Sequence, residues 1–320
     1  MLWPSATRKE VPDRTSFACD EIEEGSVMEL FLQVVAGGTA IGLLYALPAL
    51  AIVLLWNTAG FFNLAQGDFV ALTSYFLYFF YIMMHMPFVL AAVLTILCLG
   101  AVGFIVDKAL FHPLRRFNCN PLLMLIVTIA LSVFLKNLIR AIWGTKPLSL
   151  GNVFGETPLN FFHAHIMPHT FWTVGLSLLL IVGLYILSQK SLLGVAMRAA
   201  AESREVAQLM GVKSNFIISL SFVISLMITA VAGILATPIL FLIPEMGDSL
   251  GLKAFAATII GGFGNPLGAV VGGILLGIVE TLAGIYLSSS YKDAIAFGIL
   301  IAFLLFKPKG LFSLKISEKV

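Results

Sequence analysis

Few side chains in this sequence are placed to do metal, nucleophilic or acid–base chemistry. Three of the five histidines lie in the segment HAHIMPH, at His163, His165 and His169. Histidines four residues apart on a helix can bind zinc, but Pro168 would interrupt that helix and no cysteine or carboxylate is near. We interpret the segment as a solvated loop and predict no metal site. Because the apolar segments hold no nucleophile–base pair and no carboxylate pair, no catalytic residue is predicted.

Two acidic residues, Asp68 and Glu280, interrupt apolar runs and are candidates for a solute path. Ionisable groups at membrane depth are costly and often mark functional sites. Asp68 lies in the polar island FFNLAQGDF, and Glu280 lies in a glycine-rich run. The alternatives are a helix start at Asp68, where a carboxylate suits the helix dipole, and a carboxylate near the membrane surface at Glu280. The residues predicted for the path are Asn63, Gln66, Asp68, Tyr75 and Glu280.

The stretch 261–277, GGFGNPLGAVVGGILLG, is rich in glycine but is not a phosphate-binding loop, because it lacks the preceding strand and the Lys-Ser/Thr pair. We therefore predict no ATP site on this chain. Asn265 and Pro266 suit the N-cap and the first position of a helix. Two interpretations stay open: a helix end aimed at a solute path, or close helix packing through G-x-x-x-G spacing. The glycines concerned are Gly268, Gly272, Gly273 and Gly277.

The composition identifies the medium in which these residues must be positioned. Of 320 residues, 59% are hydrophobic and 11% are charged, and the mean hydropathy is +1.01. An ordinary soluble domain has about 25% charged residues. A soluble enzyme, a nucleic-acid-binding protein and a disordered chain are therefore excluded. The three cysteines have no paired spacing, so we predict no disulfide framework.

Uncharged runs locate the membrane helices, since one crossing needs about 20 apolar residues. They predict an all-α polytopic membrane protein of eight to nine transmembrane helices, with short half-membrane segments and a cytoplasmic coupling helix. The short segments 57–67 and 252–264 are the half-membrane candidates, and the second is the possible ninth crossing. The predicted spans are 31–55, 68–85, 88–107, 121–143, 171–188, 215–242, 266–287 and 293–306.

Basic residues predict how the chain is oriented. Lysine and arginine concentrate in loops 107–120 and 188–214 and in the C-terminal tail, which places these segments in the cytoplasm. The loop 144–170, with Lys146 as its basic residue, is predicted to lie outside. A cytoplasmic C-terminus requires an odd number of crossings after residue 250, which favours nine in all.

The chain divides into three parts. Residues 1–27 hold polar residues of mixed charge and are expected to form a disordered N-terminal extension, or to precede a true start at Met28. Residues 28–312 are predicted to form the membrane domain, and 313–320 a cytoplasmic tail.

Loop 188–214 has the pattern of a short amphipathic helix. From Val195 its residues alternate at helical spacing, and Gly211 suits the left-handed position after a helix. The helix predicted to dock into a partner spans 198–210. The apolar side is rich in alanine and has no Trp or Phe, which favours a groove in a protein partner over a lipid surface. The residues predicted to couple to that partner are Arg198, Ala199, Glu205, Ala207 and Gly211.

Several of these segments resemble one family of membrane transporters. Glu205-Val206-Ala207-x-x-x-Gly211 resembles the EAA-x-x-x-G loop of ABC importer permeases, with a departure at Val206. Over residues 28–312 the chain is similar to the LivH-type branched-chain amino-acid permeases, although Thr73-Ser74-Tyr75 departs from their Gly-Ala-Tyr step. The segments that carry this similarity are GLLYALPALA, FFNLAQGDF, RAAAESREVAQLMGV, KAFAATIIGGFGNPLGAVVGGILLGIVE and KPKGLF.

The resemblance implies a permease subunit in the bacterial inner membrane, without catalytic residues or a cofactor of its own. It implies a LivM-like second permease, two cytoplasmic ATP-binding subunits that hold ATP and Mg, an extracytoplasmic solute-binding protein, and no nucleic acid. Branched-chain amino acids are the implied solute, with urea, short amides or sugars as alternatives in related permeases. A stand-alone secondary transporter is disfavoured by the scarcity of membrane carboxylates, and an intramembrane enzyme by the lack of catalytic pairs.

Overall fold

The fold is helical along almost all of the chain that can be described. The computed structural model describes residues 15–117, 120–151, 159–161, 164–286, 291–307 and 310–312. A small antiparallel hairpin, β1 Leu159–Phe161 and β2 Ala164–Ile166, interrupts the helices there. The helices are α1 Thr15–Ala59, α2 Gln66–Tyr78, α3 Phe88–Val106, α4 His112–Arg116, α5 Pro121–Trp143, α6 Pro168–Lys190, α7 Leu192–Glu202, α8 Arg204–Leu209, α9 Ser214–Ala236, α10 Met246–Gly261, α11 Pro266–Tyr286 and α12 Lys292–Phe306.

Within the described residues, six stretches of helix are long and apolar enough to cross a membrane. Helices α2, α10 and α12 coincide with other predicted spans but are shorter, at 13, 16 and 15 residues. The six long stretches are Gln33–Ala59, Phe88–Arg116, Leu122–Trp143, Pro168–Lys190, Ser214–Ala236 and Pro266–Tyr286.

Two predicted boundaries need correction. Helix α9 ends at Ala236 rather than at 242, because Pro238 follows and cannot continue the ladder of backbone hydrogen bonds. Helix α1 begins at Thr15, inside the segment 1–27 that was expected to be disordered. Residues 15–27 contain no proline, and adding residues to an existing helix is far easier than starting one.

Helix α1 lies at the centre of the bundle. In its apolar window 83% of the residues are buried, against 17% in the window of α6. It packs against α6, α7, α9, α10 and α11. The helices around it bring polar side chains from distant parts of the chain to its C-terminal half.

Glycines allow α11 to approach two helices closely. A methyl group added at Gly273 would lie 2.8 Å from the Cα of Ala46 in α1, and one added at Gly42 would lie 2.6 Å from the Cα of Ile274. Gly277 faces Gly42 in the same contact, whereas Gly268 and Gly272 face Gly261 and Ala257 of α10. All four predicted glycines therefore lie where the backbones of two helices touch. This is the arrangement expected from the interpretation of close helix packing.

A second glycine contact joins α2 to α10. A methyl group at Gly247 would lie 2.9 Å from the Cα of Asp68, and one at Gly251 would lie 3.0 Å from the Cα of Gly67. Gly247 and Gly251 also have G-x-x-x-G spacing, a signal that the sequence analysis did not use. This contact holds the start of α2 against α10.

The helix ends meet at two ends of the bundle. At one, which we call the α7–α8 end, Asn57 Nδ2 donates to the Gly264 carbonyl at 2.7 Å and the Leu311 amide donates to the Ile260 carbonyl at 2.9 Å. At the opposite end, Leu148 and Leu242 pair through both backbone hydrogen bonds. Residues 310–312, the described end of the chain, thus pack at the same end as α7 and α8.

Candidate functional site

The polar island FFNLAQGDF forms the break between α1 and α2. The side-chain oxygen of Asn63 accepts a hydrogen bond from the Ala65 amide at 3.2 Å, and its Nδ2 donates one to Gln66 Oε1 at 2.9 Å. Asn63 thereby stabilises the turn that leads into α2. Non-helical backbone at membrane depth is tolerated where protein buries it or where it lines a cavity, and Asn63 is 1% exposed.

Gln66 fixes this turn to α9. Its Nε2 donates to the Thr229 hydroxyl, and it lies 3.4 Å from the Ser225 carbonyl oxygen. The buried amides of Asn63 and Gln66 are therefore both hydrogen-bonded, as buried polar groups must be to avoid a desolvation cost. The break between α1 and α2 is a built feature of the fold.

Asp68 lies in the first turn of α2 and faces α5. The Lys136 ammonium of α5 lies 3.9 Å from Asp68 Oδ1, and it also forms an ion pair with Asp248 of α10. Asp68 Oδ1 is buried and has no hydrogen-bond partner among the described residues. A buried carboxylate oxygen that is only loosely paired is the group in this island with spare capacity to bind something else.

Contacts of the island with α5 place it deep in the bundle. The Leu64 amide donates to the Thr128 hydroxyl at 3.3 Å, about 10 Å along α5 from its first residue at a rise of 1.5 Å per residue. Farther along, the rings of Tyr75 and Trp143 lie 5.3 Å apart. The Tyr75 hydroxyl is buried without a hydrogen-bond partner in the described part of the chain.

A cavity of about 220 Å³ adjoins the island. Its polar side is formed by Asn63, Gln66 and Asp68, which were predicted from the sequence, and by Ser132 and Asp248, which were not. Tyr75 and Glu280, also predicted for the path, are not among the described residues that line this cavity. Its apolar side is formed by Ile52, Leu64, Leu252 and Phe255.

Glu280 belongs to a separate ionic cluster of four helices. Its Oε1 lies 2.7 Å from the Lys253 ammonium of α10, and each of the two side chains is 6% exposed. Lys253 also pairs with Asp293 of α12 at 2.7 Å, and it lies 3.4 Å from the Tyr45 hydroxyl of α1. Glu280 is thus neither at an open surface nor close enough to the island to line its cavity.

A third buried ionic group was missed by the sequence analysis, which treated Arg115 as a loop residue. Arg115 Nη1 lies 2.7 Å from Asp107 Oδ1, and these side chains are 2% and 0% exposed. The Ser219 hydroxyl of α9 donates to the same carboxylate. The π-helical segment Asp107–Phe111 continues α3 into α4 and keeps both residues inside the bundle. The i, i+8 spacing of the two charges was the available signal.

The loop predicted to carry one helix over 198–210 contains two. Helices α7 and α8 are separated at Ser203, whose backbone is extended at φ −154° and ψ 117°. The Ser203 hydroxyl accepts from the Val206 amide and so caps α8, while Ser191 caps α7 by accepting from the Gly194 amide. Serine favours such N-caps because its hydroxyl competes with the helix for backbone donors.

The predicted coupling residues occupy different environments around this break. The Arg198 guanidinium donates to the Ser188 carbonyl and to the Gln189 side chain, which ties α7 to the end of α6. Ala199 is half-buried, and Ala207 is buried within the chain at 3% exposure. Ala207 is therefore unavailable to a partner, contrary to the prediction. Glu205 lies in α8, but its side chain falls outside the described residues.

Gly211 ends α8 in the predicted left-handed conformation, with φ +84°. The Val212 amide donates to the Ala207 carbonyl at 2.9 Å and the Gly211 amide to the Gln208 carbonyl at 3.0 Å, a Schellman pattern. Several larger apolar residues of α7 and α8 face outward, although Met197 and Ala207 are buried. Those that are more than half exposed are Leu192, Val206, Leu209 and Met210.

The described residues contain no cluster of three or more His, Cys, Asp or Glu side chains that could hold a metal ion. Of the histidines in HAHIMPH, His163 lies outside the described residues and His169 is the second residue of α6.

Comparison with known sequences decides the family. The profile described as "branched-chain amino acid transport system / permease component" matches residues 34–304. The chain belongs to this family. A member from Pseudomonas aeruginosa, the high-affinity branched-chain amino acid transport system permease protein BraD, is 33% identical over 91% of this chain and 98% of its own length.

Other members are also similar over most of their length. The LivH permease protein of Escherichia coli K12 is 33% identical over 91% of this chain and 98% of its own length. A probable LivH protein of Methanocaldococcus jannaschii is 30% identical over 84% of this chain and 88% of its length. A solved structure of PsaBC from Streptococcus pneumoniae with a Fab covers 91% of this chain and 97% of its own, with 14% identity and a TM-score of 0.48, which is too low to equate the folds.

Proposed function

We propose that this chain is a membrane permease subunit of an ATP-driven importer for branched-chain amino acids. The observation that carries the proposal is the family match over residues 34–304, together with relatives of the same length that are named for this transport. The match includes the polar island, the α7–α8 segment and the glycine-rich α11. Such a subunit moves solute without chemical change, so it needs no catalytic residue of its own.

The partners we propose are a LivM-like second permease, two cytoplasmic ATP-binding subunits and an extracytoplasmic solute-binding protein. ATP and Mg would be held by the ATP-binding subunits. The exposed apolar side chains of Leu192, Val206 and Leu209, placed on a short capped segment among charged residues, support a protein contact at α7 and α8. This contact is the proposed coupling site for the ATP-binding subunit.

We propose nine crossings, with α2, α10 and α12 as the shorter ones. The α7–α8 end holds Lys190, Arg198 and Lys213, and residues 310–312 pack there, so the proposed C-terminus is cytoplasmic. Helix α1 ends at this same end, because Asn57 bonds Gly264 there, and its start therefore faces outward. Residues 28–312 form the proposed membrane domain, with 1–27 before it and 313–320 as a cytoplasmic tail.

The cavity beside the polar island is the proposed part of the solute path. It combines an apolar wall of Ile52, Leu252 and Phe255 with a polar side that includes Asp68. An amino acid with a branched aliphatic side chain is apolar at one end and zwitterionic at the other. It could therefore place its side chain against the apolar wall and its charged groups on the polar side of the cavity. The spare carboxylate oxygen of Asp68 is the proposed acceptor for the ammonium group.

The proposed solute can be tested against the alternatives. A permease named for autoinducer 2 import in Yersinia enterocolitica is 30% identical over 41% of this chain and 39% of its own length. A sugar-like solute is therefore a second candidate, as are urea and short amides. The complete importer, reconstituted in vesicles, should take up labelled leucine, isoleucine or valine when ATP is supplied. Uptake of ribose or urea, with no uptake of these amino acids, would contradict the proposed solute.

A further inference from the structure

A groove of about 640 Å³ lies on the outside of the bundle, between the end of α3, α4 and the start of α9. It is distinct from the polar island and from the α7–α8 contact. Its head is formed by Lys108, His112 and Lys213, and its lower wall by Phe104, Phe216 and Leu220. A cationic head above an apolar wall is the shape complement of an anion that carries a hydrocarbon chain.

The head of the groove is positively charged, and its described lining residues include no acidic side chain to neutralise that charge. Lys108 and Lys213 are exposed. Asp107 is the carboxylate nearest in sequence, but it is buried behind Ser219 and paired with Arg115. The buried ion pair therefore removes the negative charge that would otherwise neutralise the groove.

The lower wall is apolar and open to the surroundings of the bundle. Phe104 is 51% exposed and Phe216 is 60% exposed. The Lys108 ammonium lies 5.7 Å from the centre of the Phe104 ring, so the charge is held at the border between the two parts. A soluble anion would use only the head, whereas a lipid would also cover the aromatic wall.

We propose that this groove binds an anionic phospholipid of the cytoplasmic leaflet, with the phosphate between Lys108 and Lys213 and an acyl chain along Phe104 and Phe216. Basic pockets between helices at the cytoplasmic side of a membrane are suited to anionic headgroups. The proposal rests on the orientation given above, in which Lys213 follows the cytoplasmic α7–α8 segment. It is independent of which solute the importer carries.

The test is native mass spectrometry of the purified complete complex, after equilibration with phosphatidylglycerol or phosphatidylcholine. We expect retention of phosphatidylglycerol in preference to phosphatidylcholine, and loss of that preference in Lys108→Gln/Lys213→Gln. The matched control is Lys190→Gln/Lys292→Gln, which removes the same charge from exposed positions outside the groove and should retain the preference. Equal retention of both lipids by the unaltered complex would overturn the proposal.

Two further arms separate the lipid from other occupants. Glycerol phosphate in large excess should leave phosphatidylglycerol bound; displacement would mean that the site takes free phosphates. Phe216→Ser should weaken lipid retention while both lysines remain, because it removes part of the apolar wall. A cysteine at Phe216 that cross-links to the second permease would show that a protein covers the groove and would also overturn the proposal. All four variants leave the polar island and α7–α8 intact, so ATP-driven uptake reports separately on the proposed function.

Discussion

Lys253 and Glu280 form an ion pair of 2.7 Å in which each side chain is 6% exposed. They lie on α10 and α11, helices that also meet through Gly261 and Gly268. Asp293 adds a second carboxylate to Lys253 from α12, and Tyr45 contributes its hydroxyl from α1. One lysine therefore links the three C-terminal membrane helices to the central helix.

Replacing Lys253 alone should lower the free energy of unfolding more than replacing Lys253 and Glu280 together. Lys253→Met leaves Glu280 buried without its partner, and loss of one member of a buried ion pair costs about 3–5 kcal/mol. Lys253→Met/Glu280→Met should recover much of the free energy of unfolding. Thermal unfolding of the purified chain in detergent would measure both, with the exposed Lys292→Met as a neutral control. Equal destabilisation by all three variants would contradict this account of the cluster.

The close contact of α11 with α1 predicts a difference between two glycines of one helix. Gly277→Ala places a methyl group against the backbone of Gly42, and overpacking of this kind costs about 1–3 kcal/mol. Gly284→Ala on the same helix meets no atom within 4 Å and should be neutral or slightly stabilising, because alanine favours helix. The measurement is the unfolding midpoint in detergent. A fall in midpoint for Gly284→Ala as large as for Gly277→Ala would mean that packing is not the cause.

The solute path can be mapped by thiol accessibility. In a chain whose Cys19, Cys98 and Cys119 are replaced by alanine, a cysteine at Asn63 or Asp68 should react with small polar thiol reagents, and the rate should change severalfold with ATP. Both positions line the cavity beside the island. A cysteine at Ser221 is the control, because that residue is fully buried in α9 and should be inert. Inertness at all three positions would assign the island to packing alone.

The end of α8 predicts a specific dependence on residue 211. Gly211 has φ +84°, where a β-branched side chain costs about 1 kcal/mol or more. Gly211→Val should therefore fray α8, reducing both co-purification of the ATP-binding subunits and ATP-driven uptake. Gly211→Asn should retain both, since asparagine tolerates this conformation. If valine and asparagine behave alike, the backbone at this position does not govern coupling.

The sequence predicts the helices well and their partners poorly. Charge-free runs locate the membrane segments because the hydrocarbon excludes charge, and Asn265-Pro266 correctly marks the start of α11, where Asn265 Oδ1 accepts from the Leu267 amide. The helix break at Ser203 was missed because a serine inside an amphipathic pattern is compatible with either a continuous helix or an N-cap. Its outcome depends on local packing that periodicity does not describe.

The buried charges show a second limit of sequence reasoning. Glu280 was recognised as unusual, but Lys253 stood at the edge of an uncharged run and was not connected with it. The pairing requires α10 and α11 to pack side by side, and this tertiary contact cannot be read from the local spacing of residues. Ser132 and Asp248, which complete the cavity beside Asp68, were missed for the same reason.

The most direct measurement of the central claim is uptake of labelled leucine by sealed vesicles that contain this chain, the second permease, the ATP-binding subunits and the solute-binding protein. We expect accumulation with ATP on the side of the ATP-binding subunits, and none with a non-hydrolysable ATP analogue or in vesicles that hold this chain alone. Leucine accumulation by this chain alone, driven by an ion gradient and without ATP, would contradict the assignment as a permease subunit of an ATP-driven importer.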